Sequence, residues 1–276
     1  GYLVDAGPVP LDIDGDSVIS DRALVGSFQT GGTTYAQAGR LDATFVDETS
    51  VSFERLVGRS SVFGITAVRR QTRDLIEDYY PDPGAPNLVI ANLPGLERTY
   101  SGLEIRYEAR FARAFVMASY THARNEGNLG LENSWGCSTE YDVPILSENR
   151  EGYLPGDVRR ALKLNGFWSL PRGFELGFAA RWHSGFPYTV LRPTLPYDYA
   201  YPEGRGSRRM PSFSQLDLEF RKTFATRAAA VRLDLAVLNV LDSETVTAVN
   251  QIEGSIGEPL RYQHPRGIEV GMHVSF

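Results

Sequence analysis

Residues 267–276 read Gly-Ile-Glu-Val-Gly-Met-His-Val-Ser-Phe, and this alternation constrains the fold more than any other stretch. In an extended strand Ile268, Val270, Met272, Val274 and Phe276 share one face, while Glu269, Gly271, His273 and Ser275 share the other. About ten residues suffice to cross a bilayer as a tilted strand. An edge strand of a soluble sandwich would carry the same pattern, so the rest of the chain has to discriminate.

The pattern recurs. Thr49, Val51 and Phe53 alternate with Ser50, Ser52 and Glu54, and after a turn Val62–Arg70 runs back with both parities apolar. Leu103, Ile105, Tyr107, Ala109 and Phe111 alternate with Glu104, Arg106, Glu108 and Arg110. Pairing around Ala112–Arg113 sets Val116, Ala118 and Tyr120 on the face of Leu103, and Met117, Ser119 and Thr121 on the charged face. Leu162, Leu164 and Trp168 alternate with Lys163, Asn165 and Ser169; Pro171-Arg172-Gly173 then turns the chain into Phe174, Leu176, Phe178, Ala180 and Trp182. Leu216, Leu218 and Phe220 alternate with Gln215, Asp217, Glu219 and Arg221. A turn near Ala225–Ala228 leads to Val231, Leu233, Leu235 and Val237, alternating with Arg232 and Asp234, and the expected register sets Glu219 opposite Arg232.

These segments make about nine antiparallel strands whose connections alternate short and long. Transmembrane barrels have this asymmetry, with tight turns on one side and long loops on the other. Aromatic residues gather near the short turns (Phe111, Phe174, Phe224, Phe276) and near the loop ends (Tyr100, Tyr120, Trp182), as two interfacial belts would require. The apolar residues are expected to face lipid and the charged ones an enclosed lumen. Mean hydropathy is −0.25 and there is no apolar run long enough for a membrane helix. Low mean hydropathy is compatible with barrel strands, in which only alternate residues are apolar. With a net charge of −6 and no basic stripe, nucleic acid is not an expected partner. Cys137 is the only cysteine, so an internal disulfide framework is excluded. Gly1 opens no signal peptide, as expected of a processed or partial chain.

Residues 1–42 read as an extracellular loop region, and 43–276 as barrel. Within the first, Asp12, Asp14 and Asp16, with the Val18 carbonyl, match the early positions of a calcium loop. Ser17 stands where such a loop uses Gly, and Ala23 where a bidentate Glu would close it; Asp21 lies off that spacing. Calcium is therefore a candidate cofactor, with a solvated acidic turn as the alternative. In the third long connection Tyr197, Tyr199 and Tyr201 could stack on a ring ligand or on one another. His122, His183, His264 and His273 are scattered among expected lumen and loop positions, and no nucleophile–base spacing or phosphate loop appears, so an enzyme is not expected.

Several stretches resemble the carboxyl-terminal part of the barrel of TonB-dependent outer-membrane receptors, in particular the Oar-like branch. They are Val46–Arg55, Arg73–Asp78, Gly156–Gly166, Arg208–Leu218 followed by Lys222-Thr223-Phe224, and Leu238–Asp242. The resemblance implies a barrel of about twenty-two strands around a plug. It also implies a Gram-negative-type outer membrane, uptake of a scarce nutrient driven by the TonB energy-coupling system, and recognition of Phe276 by the barrel-assembly machinery. About nine strands cannot close such a barrel, so the remaining strands and the plug would come from the same or another polypeptide. A passive or structural outer-membrane component, and a secreted β-sandwich binding module, are the alternative readings.

Overall fold

The computed structural model describes residues 36–37, 39–79, 81, 89–130, 148–195, 198–225 and 229–276. Nine long strands dominate: β1 (Phe45–Val57), β2 (Ser61–Arg73), β3 (Arg98–Arg110), β4 (Ala114–Gly127), β5 (Arg160–Leu170), β6 (Phe174–His183), β7 (Phe213–Ala225), β8 (Ala230–Leu238) and β9 (Gly267–Ser275). They pair in strict chain order, each antiparallel to the next, with β1 and β9 as the two edges and the short segment Gly152–Tyr153 added beside β4. Adjacent strands joined by tight turns need no crossover, which is why alternation and turn chemistry alone specify this meander. At 171–173, Pro171 starts the turn and Arg172 and Gly173 both take positive φ. A β-carbon on Gly173 would sit 2.8 Å from the Thr223 carbonyl oxygen, so the neighbouring strand also demands glycine there.

The register makes one face apolar from edge to edge. Phe53 opposes Ile65, and Ile65 opposes Ile105. Ile105 opposes Tyr120, and Tyr120 opposes Leu162. Beyond it Leu162 meets Trp182, Ala180 meets Leu216, Phe220 meets Leu235, and Leu235 meets Val270. Leu103, Tyr107, Leu218, Val231, Leu233, Met272 and Val274 fall on this same face, as alternation requires. It is not a core. Leu103 is 38% exposed, Leu233 and Leu235 41%, and Val270 80%. A sandwich would bury these side chains against a second sheet; here they form an apolar band that spans nine strands. The buried hydrophobic cluster is small, Leu75, Leu96 and Leu129 with Leu93 packed against it.

Three details differ from the sequence reading. Glu219 faces Ala236 and Arg232 faces Thr223, because pairing between β7 and β8 runs on to Ala225–Ala230. The shift moves each residue by an even number of positions, so the partners change and the faces do not. Tyr100 lies opposite Arg70 and Asn125, on the polar face, not with the aromatic belt. His122 pairs with Leu103 and Arg160 and so lies on the apolar face at the loop end, not on the lumen side.

The long connections carry short ladders of their own. Ile76–Tyr79 pairs with Val89–Asn92, along which Ala36–Gln37 lies parallel. Pro187–Tyr188 pairs with Arg208–Arg209, Arg192–Leu195 with Asp198–Ala200, and Val246–Val249 with Pro259–Tyr262.

Candidate binding surface: the polar face and its loop-side rim

The polar face is a lattice of ion pairs. Glu108 accepts from Arg106 at 2.7 Å and from Arg110 at 3.1 Å along β3. Arg221 is a hub: it donates to Glu175 at 2.7 Å and to both oxygens of Glu219 at 2.9 Å, with Asp234 at 3.4 Å. Arg232 also reaches Asp234 at 3.1 Å, and Arg181 lies 3.7 Å from Asp217. Glu104 stands in the same row, opposite Thr66 and Thr121. All the charged residues singled out by alternation therefore share one face. The aromatic pair Phe115 and Phe167, with ring centres 6.0 Å apart, lies on that face as well. Parity of Phe115 with Met117 already placed it there. On the apolar face, Lys222 lays its ammonium over Phe174 at 4.2 Å and Phe224 at 5.1 Å and bonds the Arg172 carbonyl, carrying its charge toward the turn.

At the loop ends, two of the stretches that carry the family resemblance meet. Asp157, fully buried, accepts the Asn125 amide at 2.7 Å and pairs with Arg209. The Arg209 guanidinium also reaches the Gly185 carbonyl at 3.1 Å. The Tyr153 ring lies 4.4 Å from the Arg159 guanidinium and 4.9 Å from that of Arg209. The turn 153–157 is thereby held over the wall, its Leu154 amide bonded to the Asn125 carbonyl at 2.9 Å. A cavity of about 330 Å³ adjoins it, lined by Arg70, Thr72, Arg98, Tyr100, Asn125, Gly130, Leu154, Pro155 and Gly156.

The third and fourth connections are zipped together. Leu191 donates to the Gln251 carbonyl and accepts from Glu253, both at 2.8 Å, and Arg192 grips the Glu253 carboxylate at 2.6 and 2.8 Å. Arg208 holds Glu203 in the same bidentate way at 2.8 and 2.7 Å. These hydrogen bonds hold both carboxyls below the usual glutamate range.

Among the candidate ligand tyrosines, Tyr201 is buried with Arg150 at 5.0 Å and Arg205 at 5.2 Å from its ring, so that ring is not offered to a ligand. Guanidinium groups are thus among its partners. Tyr199 is half-buried, and its carbonyl accepts from Arg150 at 3.1 Å. Tyr197, and the candidate calcium-loop positions Asp12, Asp14, Asp16, Val18 and Asp21, lie outside the described residues.

A two-faced antiparallel meander with short turns on one side and laddered loops on the other has the fold of the barrel wall of TonB-dependent outer-membrane receptors. Three solved structures show this likeness. The outer membrane transporter YddB from Escherichia coli superposes with a TM-score of 0.61 at 14% identity, over 88% of this chain and 34% of that one. The iron transporter FrpB from Neisseria meningitidis gives 0.58 at 10%, over 87% and 33%. The ferric-catecholate import receptor Fiu from E. coli K12 gives 0.55 at 12%, over 88% and 30%. The chain thus spans about a third of the length of the structures it matches. No protein-family model and no curated protein matches the chain.

Proposed function

We propose that this chain forms part of the barrel of a TonB-dependent outer-membrane receptor that takes up a scarce nutrient. The observation that carries the reading is the continuous apolar face of nine strands, backed by a charged face. The first meets lipid; the second lines a lumen filled by a plug. Leu238–Asp242 and Arg208–Leu218 resemble the Oar-like branch, in which they belong to the carboxyl-terminal part of the barrel. The partners are then outer-membrane lipid, the remaining strands and plug, the TonB system and the assembly machinery that reads Phe276. Neighbours named as transporters and import receptors support a carrier, and not an enzyme.

The test is fractionation followed by uptake. The protein should partition with the outer membrane and run as a heat-modifiable band. Its nutrient uptake should stop when a protonophore collapses the proton-motive force. Persistence of uptake would favour a passive channel, and recovery in the soluble fraction would refute the barrel.

A further inference from the structure

We propose that the cavity under the turn 153–157 binds a small hydroxylated carboxylate of the sugar-acid class. The inference deepens the receptor reading, since a receptor needs a ligand site at its loop end.

The register builds this site. Arg70, Tyr100 and Asn125 form one cross-strand row of the polar face, and Thr72 and Arg98 stand in the next row toward the loops. Two guanidinium groups therefore share one wall of a cavity of about 330 Å³, a volume at the small end of ligand sites. Arg70 engages Glu48 through a single carboxylate oxygen, with Nε at 2.7 Å. A guanidinium has five N–H groups in a fork, so donors remain for a second anion. Arg98 directs Nε to the Leu129 carbonyl at 2.6 Å, which fixes its plane. Around these cations stand Thr72, Tyr100 and Asn125, residues with neutral polar side chains.

The lining is thus cationic at two points, polar at Thr72, Tyr100 and Asn125, and apolar at Leu154 and Pro155. A carboxylate suits the positive charge of the two guanidinium groups, and ligand hydroxyls suit the neutral polar groups. The Tyr100 ring is folded along the wall: a β-carbon built on Gly102 would come within 2.6 Å of its hydroxyl oxygen. The absence of a side chain at Gly102 leaves room for the phenol there. The roof is rigid because Asp157, buried and bonded to Asn125 and Arg209, anchors the turn that forms it.

The experiment uses the intact protein purified in detergent, so that it reads the site independently of where the protein resides. Equilibrium binding is measured with radiolabelled glucuronate and, in parallel, glucose, which differs from it in lacking the carboxylate. Glucuronate is expected to bind saturably and glucose not. Arg98→Gln and Arg70→Gln should each weaken glucuronate about tenfold or more. Thr72→Val, which removes one hydroxyl and keeps the side chain's shape, should weaken it by a smaller factor. Equal binding of glucose, no saturable glucuronate binding, or unchanged affinity in Arg98→Gln or Thr72→Val would overturn the proposal. If the fractionation succeeds and glucuronate does not bind, this inference fails and the receptor reading stands.

Discussion

The backbone amide of Asn239 donates to the Asp217 carboxylate at 2.8 Å, tying the end of β8 to the polar face of β7. Asn239 is 2% exposed, takes φ of 49°, and its side chain bonds the Ser243 amide and the Ser243 and His264 carbonyls. The residue combines tolerance of left-handed backbone with satisfaction of three backbone groups of the loop. Asn239→Ala should lower stability by about 2–4 kcal/mol, from unsatisfied polar groups plus backbone strain. Asn239→Gly should lose less, because it keeps the backbone conformation. The temperature at which the folded band converts to the unfolded one on a gel measures both.

Arg221 contacts three carboxylates at once, from β6, β7 and β8. Arg221→Met should cost about 1–3 kcal/mol, summing partly exposed pairs and the repulsion left behind. Arg221→Lys should recover part of that, since a point charge replaces the fork. High salt should narrow the gap between Met variant and wild type, read by the same thermal shift.

The zip between the third and fourth connections should be sensitive to acid. Arg192 and Arg208 hold Glu253 and Glu203 below their ordinary values, so these groups titrate lower in the folded protein than in the unfolded chain. Their contribution is therefore complete above about pH 4.3, the ordinary glutamate value, and is lost as pH falls through the lower folded value. Pepsin cleavage within 184–211 should accelerate as pH drops below about 4. Glu253→Gln should show faster cleavage already at the upper end of that range and a flatter pH response.

Calcium at the acidic turn is tested by chelation. EGTA should increase protease cleavage within residues 1–42, and Asp12→Ala with Asp14→Ala should remove the difference between calcium and EGTA. Equal cleavage of wild type with calcium and with EGTA would remove calcium from the description.

Much of the wall was legible because a two-residue period is local. Leu216, Leu218 and Phe220 announce their face without knowledge of any partner. Glu219 was paired with the wrong residue because a partner depends on where the turn falls, and β7 extends to Ala225 before reversing. Tyr100 was misassigned by residue type, although its parity with Glu104 placed it correctly. The rim was not legible: Asp157 and Arg209 lie 52 positions apart, and no periodicity announces a single buried ion pair. The two-residue ladders of the loops, such as Pro187–Tyr188 with Arg208–Arg209, are likewise too short to leave a pattern.

The most direct measurement labels adjacent positions on opposite faces. With Cys137→Ser as background, single cysteines replace Glu104 and Ile105 on β3 and Asp234 and Leu235 on β8, and each is spin-labelled in bilayers. Labels at Ile105 and Leu235 should be relaxed by oxygen dissolved in lipid, and labels at Glu104 and Asp234 by a water-soluble nickel chelate. Relaxation of the Ile105 and Leu235 labels by the nickel chelate, or by neither reagent as in a dry core, would contradict a wall with lipid on one face and a lumen on the other.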